Sequence, residues 1–129
     1  MVLMEIEVKC EEPLRVAGAK RDVVMIPFSG KVTGKYFQGQ IVGPGVDTQK
    51  IDKGGIPFLS ARYMLEGTDY AGNPCRIFVE NQGSWGGEFV PTVVTDSPLL
   101  ADWETADLYA EVNGIPGGVL VKVCRREDS

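Results

Sequence analysis

The chain has 129 residues, with 13 Lys and Arg against 18 Asp and Glu, for a formal charge of −5. Hydrophobic residues at 43% and charged residues at 24% exclude a disordered or collagen-like chain, and no apolar run approaches the ~20 residues of a membrane-spanning helix. The acidic balance speaks against nucleic acid, and the absence of histidine excludes a Ser-His-Asp triad, a Cys-His pair and any His-ligated metal.

Met1 to Glu5 lacks the basic region and apolar core of a secretory leader, and no Asn-x-Ser/Thr acceptor occurs, so a cytoplasmic location is expected. From Met4 to Cys10 the residues alternate, Ile6, Val8 and Cys10 on one side and Glu5, Glu7 and Lys9 on the other. That period of two predicts a half-buried antiparallel strand. Leu14–Ala17, Val23–Ser29, Tyr36–Val42, Leu59–Glu66 and Arg76–Asn81 are further strand candidates. Gly30-Lys31-Val32-Thr33-Gly34-Lys35 fails as a phosphate loop because its glycines are one residue too close and Tyr36 stands where a Ser or Thr is required. Its glycines predict a tight turn instead.

Gly43-Pro44-Gly45 precedes Asp47 and Gln49. Two readings stand: an ordinary loop whose Asp47 caps its own backbone, or a fixed turn that aims Asp47 and Gln49 at a ligand. Around Arg62, Ala61, Tyr63 and Leu65 share one strand face, with Arg62, Met64 and Glu66 on the other. Arg62 is then either a solvated outer residue or an inward charge that needs a carboxylate, Asp47 first and Glu80 second. Glu80 and Asn81 are strand neighbours and face the same way only across a bulge. Trp85 sits in the polar, glycine-rich loop Asn81–Gly87, as a rim aromatic over a ligand or as a plug of the barrel end.

Asp69–Pro74 and Asn113–Gly118 read as hairpin loops, and Ala106–Val112 and Val119–Cys124 alternate as strands. One short helix is expected near residues 97–104, with Ser97 as N-cap, Pro98 at its first position and Trp103 in the core. Cys10, Cys75 and Cys124 form no Cys-x-x-Cys pair, so three reduced thiols and no zinc or redox motif are expected. The predicted fold over residues 1–129 is therefore all-β: a single closed antiparallel β-barrel of about eight or more short strands. A β-sandwich is the alternative.

Gly30-x-Val32-x-Gly34-x-x-Phe37-x-Gly39, Pro44-Gly45-x-Asp47, Ala61-Arg62-Tyr63-x-Leu65 and Ile77-x-Val79-x-Asn81-x-Gly83, in this order, resemble the family catalogued as domain of unknown function 3237. The resemblance spans roughly residues 13 to 125 and implies a small lipocalin-like or cyclase-like barrel, cytoplasmic, with no tightly bound metal. Asp47, Arg62, Tyr63, Asn81 and Gly83 match the family's positions. The chain departs from the pattern at Pro44, which replaces a glycine, at Thr48, where many relatives carry Trp, and in the lengthened turn Asp69–Pro74.

Three functions follow as expectations. The first is a barrel that binds a small anionic or carbonyl-bearing organic ligand in its lumen through Asp47, Gln49, Arg62, Tyr63, Glu80, Asn81 and Trp85, with Tyr63, Phe37 and Trp85 as apolar wall. The second is a cofactor-free isomerase, cyclase or lyase, with Asp47 or Glu80 as base, Tyr63 as acid and Arg62 stabilising an enolate-like oxygen. The third is a filled barrel whose outer face mediates homo-oligomerisation or another interaction. No metal, cofactor, nucleic acid or membrane partner is expected.

Overall fold

The computed structural model describes residues 1–127, which form nine strands and one short 3₁₀ turn. In chain order these are β1 (Val2–Cys10), β2 (Leu14–Ala17), β3 (Arg21–Thr33), β4 (Phe37–Asp52), β5 (Phe58–Asp69), β6 (Pro74–Ser84), β7 (Val90–Thr95), the 3₁₀ turn Ala101–Glu104, β8 (Leu108–Ile115) and β9 (Gly118–Arg125). Every pairing is antiparallel, in the order β7-β6-β5-β4-β3-β1-β9-β8, with β2 laid along β3. No helix among the described residues is long and apolar enough to cross a membrane.

The sheet curls until β7 and β8 approach, but they do not form a ladder. They meet at one bridge, Phe89 to Ala110, where the Ala110 N–H donates to the Phe89 carbonyl at 2.9 Å. The continuous closed barrel expected from the strand count is therefore corrected to a curled, barrel-like sheet with a seam. β7 has six residues, and among them Pro91 has no N–H to give to a ladder, which suits an edge position.

Alternation sets inside from outside. Odd positions of β4, β5 and β6 and even positions of β3 face the lumen, as Phe37, Ile41, Tyr63, Leu65, Ile77, Val79, Phe28 and Val32 are all buried there. One end of the lumen is packed solid by Met4, Ile6, Phe37, Leu65, Leu100 and Trp103. Gly43 and Pro44 are no loop: they are extra residues inside β4, a bulge that shifts the register against β5 between Val42 and Val46. Two extra residues leave the alternation intact, so Gly45, Asp47 and Gln49 stay on the lumen side. Gly43 holds the positive φ of 67° that the bulge requires.

The helix expected over residues 97–104 shrinks to the 3₁₀ turn. Ser97 does not cap it, because the Ser97 hydroxyl donates to Asp69 Oδ2 at 2.9 Å. Asp69 in turn accepts from the backbone N–H groups of Ala71 and Asn73, so one buried carboxylate ties the β5–β6 hairpin to the segment after β7. Trp103 is buried as expected, and Cys10, Cys75 and Cys124 are free thiols, the first exposed and the others buried.

Candidate functional site

Opposite the packed end, the lumen opens into a cavity of about 200 Å³. Its wall is mostly apolar: Val8, Ile26, Phe28, Leu59, Phe89, Val112, Val119 and Val121, with Trp85 and Cys10 towards the mouth. Four polar side chains interrupt that wall, Asp47 and Gln49 from β4, Tyr63 from β5 and Asn81 from β6. Register explains their grouping. Asp47 pairs with Ala61 and Ala61 with Asn81, so a carboxyl and an amide flank one small methyl on three adjacent strands. Tyr63 lies two residues along β5, one layer deeper.

These groups are incompletely satisfied. Gln49 Nε2 donates to Asp47 Oδ2 at 3.0 Å, but Asp47 Oδ1, the Tyr63 hydroxyl and Asn81 Oδ1 are buried with no hydrogen-bond partner from the protein itself. Three such atoms in the wall of one cavity form a cluster, whereas buried polar atoms are nearly always paired. Burial pushes the Asp47 carboxyl above the usual carboxylate range, and the hydrogen bond from Gln49 offsets part of that rise. Burial likewise raises the Tyr63 phenol, so it stays protonated and serves as a donor. The Cys10 thiol is raised by burial first and then by the charges of Asp47 and Glu11. Phe28 packs edge-on against Tyr63, centroids 5.5 Å apart, and Gly45 makes room for the pair. A Cβ at Gly45 would lie 2.5 Å from the Phe28 ring and 2.9 Å from Tyr63 Cβ.

Five of the seven expected ligand residues meet here: Asp47, Gln49, Tyr63, Asn81 and, at the mouth, Trp85, which is 59% exposed and so a rim residue rather than a plug. Arg62 and Glu80 do not. They pair with each other on the outer face, Nε to Oε2 at 2.7 Å, with 67% of the Arg62 side chain exposed. The inward Arg62–Asp47 pair does not form because Ala61 and Tyr63 take the lumen face, which leaves Arg62 outside. Glu80 is excluded by Val79 and Asn81 in the same way. Phe37 belongs to the packed end, not to the cavity wall. The apolar lining from β1 and β9 was not singled out from the sequence, although the alternation of Val8 with Cys10 and of Val119 with Val121 carries the signal. No group of three or more His, Cys, Asp or Glu among the described residues could hold a metal ion.

Solved proteins of this shape include two of unknown function and one, from Penicillium herquei, described as an enzyme. A Clostridium acetobutylicum protein described as a UPF0311 protein is 40% identical over 60 residues, which is 46% of this chain and 35% of that relative. The match thus spans about a third of the relative's length. A crystal structure of a Clostridium acetobutylicum protein of unknown function superposes with a TM-score of 0.81 at 24% identity, covering 95% of this chain and 93% of that one. A β-barrel-like protein from Acinetobacter baumannii superposes with a TM-score of 0.75 at 18% identity, covering 95% and 91%. Both likenesses concern the fold. The model of a family of proteins of unknown function, DUF3237, matches residues 1–110, and the chain belongs to that family.

Proposed function

We propose that the lumen binds a small, uncharged organic molecule that is mostly apolar and carries hydrogen-bonding groups. The observation behind this reading is the cluster of three unpartnered atoms, Asp47 Oδ1, Tyr63 Oη and Asn81 Oδ1, in one apolar wall. A ligand hydroxyl or N–H would satisfy the two acceptors, and a ligand oxygen would accept a hydrogen bond from the Tyr63 hydroxyl. No Lys or Arg lines the cavity, so the anionic ligand expected from an inward Arg62 has no counter-charge, and a carboxylate would face Asp47. Since a cavity of ~150 Å³ accommodates benzene, about 200 Å³ suits one substituted ring or a short branched chain.

A ligand panel sorted by charge tests the proposal through the shift in melting temperature. Ring-sized neutral alcohols, phenols or amides should raise it, their carboxylate counterparts should not, and Asn81→Ala should abolish the rise. Stabilisation by carboxylates alone would overturn it.

A second reading is favoured by the state of Asp47. A carboxyl raised by burial, with one oxygen free towards the cavity, is suited to give or take a proton beside the Tyr63 donor. This is the cofactor-free acid–base enzyme, with Asp47 in the role and Glu80 and Arg62 out of it. Asp47→Asn would then abolish turnover of a stabilising ligand while leaving its binding within a few-fold. Unchanged turnover would remove the catalytic reading and leave the binding one.

A further inference from the structure

We propose that the outer face of β4, β5, β6 and β7 is the interface of a symmetric homodimer. Register places Val42, Met64, Phe78 and Val94 side by side across these four strands, all pointing away from the lumen. The first three are half-buried and Val94 is 53% exposed, which makes an apolar row on a surface-facing side of the sheet. Ion pairs border the row on both sides. On one side Arg62 of β5 pairs with Glu80 of β6, and on the other Glu66 of β5 pairs with Arg76 of β6, each at 2.7 Å.

The signs alternate. β5 carries a cation above the row and an anion below it, while β6 carries the reverse. This pattern is complementary to itself. A two-fold axis lying parallel to the strands, between β5 and β6, sets Arg62 over Glu80 of the second copy and Glu66 over its Arg76. The same axis sets Met64 over Phe78 and Val42 over Val94, so these four charges meet their opposites and these four apolar side chains meet one another. A foreign partner would have to supply that arrangement, and this chain already carries it.

The face lies on the opposite side of the same strands from Asp47, Tyr63 and Asn81, so pairing there leaves the cavity mouth open. Four strands ~4.8 Å apart and six residue steps of ~3.3 Å give a patch of about 19 by 20 Å. That projected area, about 380 Å² per copy, lies below the ~800 Å² per partner of a standard interface, so the dimer is a weak one with dissociation on the order of tens of micromolar.

Sedimentation equilibrium of the full chain from ~1 to ~100 μM tests this, that range bracketing the expected dissociation constant. The wild type should approach twice the chain mass. Phe78→Glu should weaken association at least ~10-fold, as should Arg62→Glu, which sets a carboxylate over Glu80 of the second copy. The double variant Arg62→Glu/Glu80→Arg should restore it, because the exchange preserves complementarity. Far-UV circular dichroism checks the fold, and should Phe78→Glu unfold the chain, the exposed Arg62 pair carries the test alone. A wild type that stays monomeric throughout, including one whose face instead captures a different protein, overturns the proposal. So does a dimer indifferent to both charge changes.

Discussion

At the scale of single residues, Asp47 combines a structural cost with the candidate chemistry. Its carboxyl is raised above the ordinary 3.8 by burial, so between that value and its folded one the native state holds more protons than the unfolded state. Stability therefore falls as pH rises through that window and stays reduced at neutral pH. Asp47→Asn removes the charge and keeps an acceptor for Gln49. It should stabilise the chain at pH 7 by ~0.5–2 kcal/mol, the scale of common single stabilising substitutions. The gain should vanish in melts run below pH 3.8. A constant difference at all pH values would mean that the carboxyl is not the source. Arg62 behaves oppositely. Its pair with Glu80 is two-thirds exposed on the arginine side, so Arg62→Met should cost less than ~1 kcal/mol in a denaturant titration at neutral pH. A loss of several kcal/mol would contradict an outer position.

At the scale of elements, most of what the sequence expressed was alternation, and most of what it withheld was direction. The strands around Ile6, Val121 and Ala110 are where the period of two puts them. Alternation divides β5 into two sets but does not name the inner one, since Met64 makes the Arg62 set partly apolar too. Arg62 and Tyr63 are adjacent on one strand and cannot both face the lumen, and the same holds for Glu80 and Asn81. Only the three-dimensional curl chooses between the sets. The bulge at Gly43–Pro44 was legible as punctuation but read as a loop, because a strand that resumes with its alternation intact leaves no local mark of continuity. Gly45 belongs to that bulge and has a specific partner. Gly45→Ala would drive a methyl into the Phe28–Tyr63 pair, and overpacking of this kind costs ~1–3 kcal/mol. Thermal melts should show that loss together with loss of any ligand-induced stabilisation. A neutral result would mean that the pair is free to move aside.

At the scale of the whole molecule, the curled sheet joins a solid end to a hollow one, and stability and site occupy different ends. Trp103, at the solid end, should be the costlier truncation, ~3–5 kcal/mol for Trp103→Ala in a denaturant titration, with no requirement for ligand. The short helix failed for a tertiary reason. Ser97 had the right identity for an N-cap, but the buried Asp69 carboxylate takes its hydroxyl. Burial alone would raise that carboxyl, yet the bonds from Ser97 and from the N–H groups of Asn73 and Ala71 hold it below its ordinary value. Its contribution is therefore present above the unfolded value and lost as pH falls through the folded one.

The seam between β7 and β8 has a consequence for how the chain behaves in a crowd. A strand bonded on one flank offers the other as a template, and Thr92-Val93-Val94-Thr95 has the β-branched, uncharged character of segments that stack into fibrils. Pro91 stands at the start of that run and brings no N–H to an incoming strand, so it acts as a gatekeeper against accretion along the edge. Pro91→Val should leave the native circular dichroism spectrum nearly unchanged yet shorten the lag before thioflavin-positive aggregates form on gentle heating. An unaltered lag would show that the single bridge to Ala110 already shields the edge.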